Sequence, residues 1–509
     1  MKIEKNEFKG NFIGNEFHRS ATPSGERSLK SPADLTDEIG PITWSYADID
    51  VAVERAQKAF QSWRKTPLAE RIEILKRYQA ALEKHKESIA QTISRETGKP
   101  FWESRTEVGA MVGKVNITIQ ESLPLVHGFE KEEMQPQTRG VLKYKPLGVL
   151  SVIGPFNFPG HLANGHIVPA LITGNTVIFK PSEKTPITAQ KMAECLLEAG
   201  VPSGVFQVVH GDGEVGRRLA IHEGTAGNLF TGSYDVGLAI KKDTLHQYWK
   251  LNALEMGGKN AAIVWDDADL NVAVREILFG AYVTSGQRCS CTSRVILHSK
   301  IADAFVEHFH AQAKALAIGH PWDDVFMGPV IDSVTLDRYT KFMGIAQREG
   351  AEVVMRGKAL ELKPGGYFVT PSICRFDKVS VESVKKSVYQ QNELFAPNVA
   401  IMETDDLHEA IDLANATQFG LVASVFTKSD EVYQQAWDDL EVGLVNLNKS
   451  TAGASSALPF GGLKKSGNHH PTALPATLYC TYPVASLETR QLDGSKAAYP
   501  GFNWKTRDI

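Results

Sequence analysis

A chain of 509 residues, 42% of them hydrophobic, has enough apolar material for two to four domains at roughly 150 residues each. Its formal net charge of −4 gives no electrostatic basis for nucleic acid or an anionic membrane as partner, and no apolar run of about 18 residues predicts a membrane span. Five scattered cysteines, Cys195, Cys289, Cys291, Cys374 and Cys480, have no disulfide framework spacing and fit a reducing, cytoplasmic setting; the charged start Met1 to Glu7 leads into no signal-length apolar stretch.

The first forty or so residues, rich in Ser, Pro, Gly and charge, read as an extended, turn-rich lead-in. Two amphipathic helices follow, with Val53, Ala56, Phe60 and Trp63 on one apolar face and Ile72, Leu75, Tyr78 and Leu82 on the next. Gly128 to Lys145 is polar, and Leu478 to Leu487 is strand-like; neither belongs inside a βαβ unit, and both suit a projecting arm or surface decoration. From about residue 147 short apolar strands alternate with helices: Val149 to Ile153, Thr176 to Phe179, Val205 to Val209 and Asn228 to Phe230, with a helix over Thr188 to Glu198 among them. That rhythm predicts an α/β fold with a parallel sheet, whose ligands sit beyond the carboxyl ends of the strands. A second strand-and-helix region runs from about Ala261 to Leu447.

The residues after the strands carry the chemistry. Pro155-Phe156-Asn157-Phe158-Pro159 fixes a turn that suits aiming the Asn157 amide at developing charge, though an ordinary proline turn reads the same locally. Lys180 and Glu183 follow the Thr176 strand and suit a ribose; the carboxylate repels a 2′-phosphate and so favours NAD. Two glycine turns compete for a pyrophosphate. Gly211-Asp212-Gly213-Glu214-Val215-Gly216 matches G-x-G-x-x-G, with Asp235 about 20 residues on; Gly232-Ser233-Tyr234-Asp235-Val236-Gly237 opens another helix.

Glu255, in Leu254-Glu255-Met256-Gly257-Gly258-Lys259, is a candidate base, and Cys289, in Ser285-Gly286-Gln287-Arg288-Cys289, a candidate nucleophile. A thiol of ordinary pKa, about 8.5, needs a dipole or cation to ionise at neutral pH, and Arg288 is the nearest in sequence. Cys291 reads as a bystander or as a redox partner of Cys289. No second Cys or His pair has matching spacing, so no metal is expected. Asn446 to Ala457 is small and hydroxyl-rich, which suits a carboxylate; Lys449 and Arg288 add charge.

These segments, with Asn392-Glu393-Leu394-Phe395-Ala396-Pro397 and Pro459-Phe460-Gly461-Gly462, stand in the order seen in the aldehyde dehydrogenase superfamily, and the chain resembles that family from about Asn11 to Glu488. The resemblance implies an aldehyde dehydrogenase-like fold with a Rossmann-type cofactor domain over 1–127 and 147–256. It implies an α/β catalytic domain over 257–465, and a small β oligomerisation arm over 128–146 and 466–495. It assigns Cys289 as nucleophile, Glu255 as base and Asn157 as oxyanion donor. NAD is the implied cofactor, with Lys180 and Glu183 on the adenosine ribose, Glu393 and Phe395 at the nicotinamide end, and the Gly232, Ser233, Gly237 turn preferred for the pyrophosphate. A small acidic semialdehyde as substrate and a homodimer or homotetramer as assembly complete the expectation. Lys464, Lys465 and His470 depart from the pattern of the family members that oxidise such aldehydes.

Overall fold

The computed structural model describes residues 7–135, 137–377, 379–468, 470–490, 500–502 and 505. The starting segment 1–6, His469 and the last part of the expected arm, 491–495, lie outside the described residues.

The opening residues form strands rather than a lead-in. β1 (Asn11–Ile13) and β2 (Glu16–His18) pair antiparallel, and Phe12 of β1 faces Val208 across an antiparallel edge. All three residues of β1 are buried, which is why a short polar-flanked segment becomes a strand between β2 and the rest of the sheet. A hairpin of β3 (Gly25–Ser31) and β4 (Asp34–Trp44) follows. It is pinned from below by Arg95, whose guanidinium takes both oxygens of Asp37 at 2.7 and 2.8 Å. Helices α1 (Ala47–Trp63), α2 (Leu68–Lys84), α3 (Lys86–Thr97) and α4 (Phe101–Ile117) come next. Val53, Ala56 and Trp63 of α1 and Leu75, Tyr78 and Leu82 of α2 are buried as their spacing predicts, while Phe60 and Ile72 are half-buried.

β5 (Phe129–Gln135) and β6 (Thr138–Pro146) leave this body as an arm, and Thr481–Thr489 returns to pair with β6 along nine residues, from Thr481 opposite Pro146 to Thr489 opposite Thr138. Every described side chain of β5 is exposed, so the arm ends in an open edge.

The first sheet is built from β7 (Val149–Ile153), β8 (Thr176–Lys180), β9 (Phe206–Val208), β10 (Gly227–Thr231) and β11 (Leu251–Glu255), in the order β11-β10-β7-β8-β9-β1-β2. These five strands are parallel and fully buried except at Leu251, so polar residues such as Ser151, Gln207, Asn228 and Asn252 are buried among their apolar ones. Order reverses at β7: the chain goes one way to β8 and β9, and the other to β10 and β11. Helices α5 (His161–Ile172), α6 (Pro186–Glu198), α7 (Gly213–Ile221) and α8 (Tyr234–Asp243) make the crossovers. The loops after β7 and β10 thus flank the switch point, where such sheets bind ligands.

The second sheet runs Glu352–Met355, Ser372–Arg375, Asn398–Thr404, Thr292–His298, Asn260–Val264, Val422–Phe426, Leu444–Leu447, parallel except for its first pair. It spans the expected Ala261 to Leu447 region. Glu255 ends the first sheet and Asn260 begins the second, so only four residues join the two.

Candidate active site

Cys289 lies just beyond α9 (Leu270–Tyr282) on a turn held against its own preferences. Thr284, Ser285 and Gly286 have φ of 56°, 55° and 72°, a left-handed run that costs on the order of 1–3 kcal/mol per non-glycine residue. The surroundings over-determine it. Ser285 donates to Gly328 O at 2.8 Å, the Gln287 side chain accepts from Ile331 N at 2.9 Å, and Asn260 Nδ2 donates to Cys289 O at 2.7 Å and Cys291 O at 3.0 Å. Gly258 is required for the approach, because a Cβ there would lie 2.4 Å from Cys289 O. Asn157, on the proline-bounded loop after β7, donates its amide to Gln287 O at 2.8 Å and is thereby fixed beside the cysteine turn.

Glu255 is fully buried, and neither carboxylate oxygen has a hydrogen-bond partner among the described residues. Burial holds its pKa well above the usual carboxylate range, so the ionised form is a strong base. Its charge, after burial itself, is the largest influence raising the thiol pKa of half-buried Cys289, which puts the two groups in one electrostatic unit; Glu393 adds to the effect. The free site therefore rests as a thiol.

Arg288 does not relieve this. Its guanidinium donates to Glu103 at 2.9 Å and to Thr284 at 2.7 Å, and stacks 4.7 Å from the Phe158 ring centroid. The expectation that it would activate Cys289 or meet the substrate is corrected: a carboxylate 185 positions upstream claims it. Cys291 is buried with Val283 and Ala452, its thiol 3.8 Å from Val283 O, and forms no disulfide with Cys289.

A cavity of about 810 Å³ opens onto Cys289 and runs over the carboxyl ends of the first sheet. Lys180 and Glu183 line one end, 3.7 Å apart; Gly232 and Ser233 line the middle; Glu393 and Phe395 line the end near Cys289. Glu393 accepts from Gly258 N at 3.0 Å, and Gly257 lies so close that a Cβ would meet the carboxylate. Burial raises Glu393 to about 7. Phe395 sits edge-on to Phe156 at 5.8 Å, with φ of 54°. Gly237 lies one turn into α8, packed on Met256 rather than on the cavity wall.

The fold agrees with comparison. The aldehyde dehydrogenase family model matches residues 24–482. This chain belongs to the aldehyde dehydrogenase family. It is 42% identical over 447 residues to N-succinylglutamate 5-semialdehyde dehydrogenase of Novosphingobium aromaticivorans, covering 87% of this chain and 93% of that protein. The protein of the same name from Serratia proteamaculans is 41% identical, over 90% and 92% of the two chains. A solved aldehyde dehydrogenase from Burkholderia cenocepacia superposes with a TM-score of 0.90 at 31% identity, covering 98% and 100% of the chains. Betaine aldehyde dehydrogenase of Staphylococcus aureus, solved in complex with NAD+, gives 0.89 at 27% identity, covering 98% and 100%.

In this aldehyde dehydrogenase the two glycine turns differ in one physical respect. Asp212 caps α7 with its own carboxylate, accepting from Glu214 N at 3.0 Å and Val215 N at 3.2 Å, so the helix end that matches the motif already carries a negative charge. The α8 end is capped by the neutral Ser233 hydroxyl, at 3.4 Å from Val236 N, and leaves room for an anion. Gly213 and Gly216 also border the cavity.

Several positioning residues escaped the sequence reading: Asn260, Asp212, and the pair Glu103 and Glu107. Glu107 accepts from Gly160 N at 2.9 Å and His161 N at 3.0 Å, is paired with Lys99, and so anchors the Asn157 loop. Nothing local marked Glu103 or Glu107. Asn260 had a signal, standing directly after Gly257-Gly258-Lys259.

The loop Asn446 to Ala457 is divided. Thr451 bonds Thr292 at 2.7 Å and Ser450 N donates to Glu276 at 3.1 Å, so these inner groups hold the loop down. Lys449, Gly453, Ala454 and Ser455 are exposed. Lys464 pairs with Glu441 at 2.5 Å and Lys465 lies 4.6 Å from the Tyr234 ring centroid, so both departures from the family pattern are accommodated on the surface of the fold. Among the described residues no helix is long and apolar enough to cross a membrane.

Proposed function

We propose that this aldehyde dehydrogenase oxidises an acidic semialdehyde to its carboxylate with NAD, that the substrate is N-succinyl-L-glutamate 5-semialdehyde, the aldehyde in the names of its relatives, giving N-succinyl-L-glutamate, and that the reaction serves arginine catabolism. The observation that carries the chemistry is the pairing of Cys289 with a buried, unpartnered Glu255 at the end of one long cavity.

The cavity fits NAD. Lys180 and Glu183 supply a donor and an acceptor for a ribose, the Ser233-capped helix end faces a pyrophosphate, and the Gly257 gap leaves Glu393 free to hold the second ribose. When bound, NAD supplies the acceptor for the hydride lost from the substrate carbon.

The residues divide the rest of the work. Cys289 gives up its thiol proton to solvent water and attacks the aldehyde carbon as the thiolate, forming the thiohemiacetal oxyanion. Asn157 and the Cys289 backbone N–H hold the oxyanion. Oxidation leaves a thioester on Cys289. Glu255 then takes a proton from water, whose oxygen adds to the thioester, and the carboxylate product departs as the thiol reforms.

Acidity of the substrate is supported by the exposed small-residue loop and by Lys114. That buried ammonium donates to Ala473 O at 2.8 Å, beside the apolar cluster that Ala473 shares with Cys289, and Glu121 is the carboxylate acting on it. The open edge of β5 supports pairing of the arm with a second copy in a homodimer or homotetramer. The division into domains 1–127 with 147–256, 257–465, and 128–146 with 466–495 is supported by the two sheets and by the pairing of Thr481–Thr489 with β6, while Thr472–Ala473 pairs with Pro459–Phe460 outside the arm.

The test is NADH formation across N-succinylglutamate, glutamate and succinate semialdehydes beside neutral aldehydes of similar size. The highest kcat/KM is expected for the N-succinylated substrate. A preference for neutral aldehydes would overturn the substrate assignment and leave the reaction class intact.

A further inference from the structure

The hairpin of β3 and β4 places a cation beside Glu183, which lines the far end of the cavity. Arg27 Nη1 stands 3.4 Å from Glu183 Oε1, while Lys180 Nζ stands 3.7 Å from Glu183 Oε2. Each carboxylate oxygen is thus matched by a cation from a different element. Arg27 is half exposed and free to turn toward solvent or ligand, but its strand is not loose: Arg95 clamps Asp37 on the paired strand, and Trp44 packs beneath Gly211.

We propose that Arg27 is a specificity-determining residue that admits a nicotinamide dinucleotide carrying a 2′-phosphate alongside NAD. The inference rests on the reading of Lys180 and Glu183 as the adenosine-ribose site.

The argument is a count of charge. Glu183 alone would repel a 2′-phosphate, the usual basis for preferring NAD. Lys180 feels the charges of Glu183, Asp212 and Arg27. Neighbouring His210 is buried with its pKa depressed to about 3 and is neutral. Lys184 is matched by Asp332 at 2.6 Å. Two cations, Lys180 and Arg27, therefore face two anions, Glu183 and Asp212. Without Arg27 the group is net negative; with it the group is balanced. The guanidinium fork also offers paired donors of the geometry that phosphate oxygens accept. A 2′-phosphate can exchange with Glu183 as the partner of Arg27, while NAD leaves that ion pair in place.

The experiment is calorimetric binding of NAD and of NADP, without aldehyde, to the full chain and to R27A, R27K and K180M. The unaltered chain is expected to bind both, and R27A to shift the affinity ratio toward NAD by roughly tenfold, the worth of a hydrogen bond to a charged group. R27K keeps the charge without the fork and should fall between. An unaltered chain that binds NAD but shows no binding of NADP, or a ratio unchanged in R27A, overturns the proposal. K180M separates the two layers. If it weakens NAD while R27A leaves the ratio alone, only the role of Arg27 fails; if it leaves NAD binding intact, the ribose site itself was misassigned. The ratio of kcat/KM for the two cofactors is a second readout.

Discussion

Asn157→Ala is the perturbation whose consequences the structure divides most cleanly. The side-chain amide has two N–H groups. One donates to Gln287 O at 2.8 Å and ties the loop after β7 to the nucleophile turn. The other is the donor assigned to the oxyanion. Removing an oxyanion donor typically costs about 2.7–4 kcal/mol in the transition state, so kcat/KM should fall roughly 100- to 1000-fold. Losing the anchor leaves the Gln287 carbonyl without that partner inside the protein and should lower stability by about 1 kcal/mol. The two effects are read separately, the first by stopped-flow measurement of the first turnover of NADH at low aldehyde, the second by thermal or chemical denaturation without ligands. A folded variant with kcat/KM within about threefold of the unaltered enzyme would refute the oxyanion role. A large loss of rate confined to KM, with first-turnover kinetics intact at saturation, would instead mean that Asn157 binds ground state and transition state equally.

Glu393, raised from 4.5 to about 7 by burial, holds its proton more tightly folded than unfolded, so its contribution to stability declines as pH rises from 4.5 to about 7. Glu393→Gln lacks that loss, and its stability advantage over the unaltered chain should widen across this window by at most roughly 1.4 kcal/mol per pH unit, then stay flat; a gap independent of pH in denaturant titrations would contradict the shift. Arg288→Met should leave the ratio of kcat/KM for acidic over neutral aldehydes within about twofold, because Glu103 holds the guanidinium at 2.9 Å; collapse of the acidic preference would put Arg288 on the substrate. Asp212→Ala should cost about 1 kcal/mol of stability as a lost helix cap without weakening NAD more than about threefold in a binding titration. A loss of affinity of an order of magnitude would return the pyrophosphate to the Gly211 turn.

Local sequence carried most of the first sheet, because β7, β8 and β10 are buried on both faces and so appear as short runs with apolar centres. It missed β1, a three-residue strand whose burial depends on Val208, almost two hundred positions away. The residues proposed as nucleophile, base and oxyanion donor stand in ordered motifs, since glycine and proline fix backbone locally and leave a trace. Spacing alone did not separate the two glycine turns; the resemblance preferred the Gly232 turn, and Asp212 folding back onto α7, which no spacing rule encodes, supports that preference. Arg288 failed for the same reason in reverse. Adjacent in sequence to Cys289, it was credited with the thiol, whereas Glu103 on α4 draws it away. Charge pairing between distant elements was the least legible property, as the Arg27 and Glu183 pair, 156 positions apart, also shows.

The most direct measurement is rapid mixing of Glu255→Gln with NAD and a semialdehyde that the unaltered enzyme oxidises, followed by mass spectrometry of the quenched protein. A burst of one NADH per site is expected, with the acyl group trapped on the peptide containing Cys289 and little turnover afterwards. Sustained turnover at the rate of the unaltered enzyme, or an adduct on any residue but Cys289, would contradict a shared thiol and carboxylate centre.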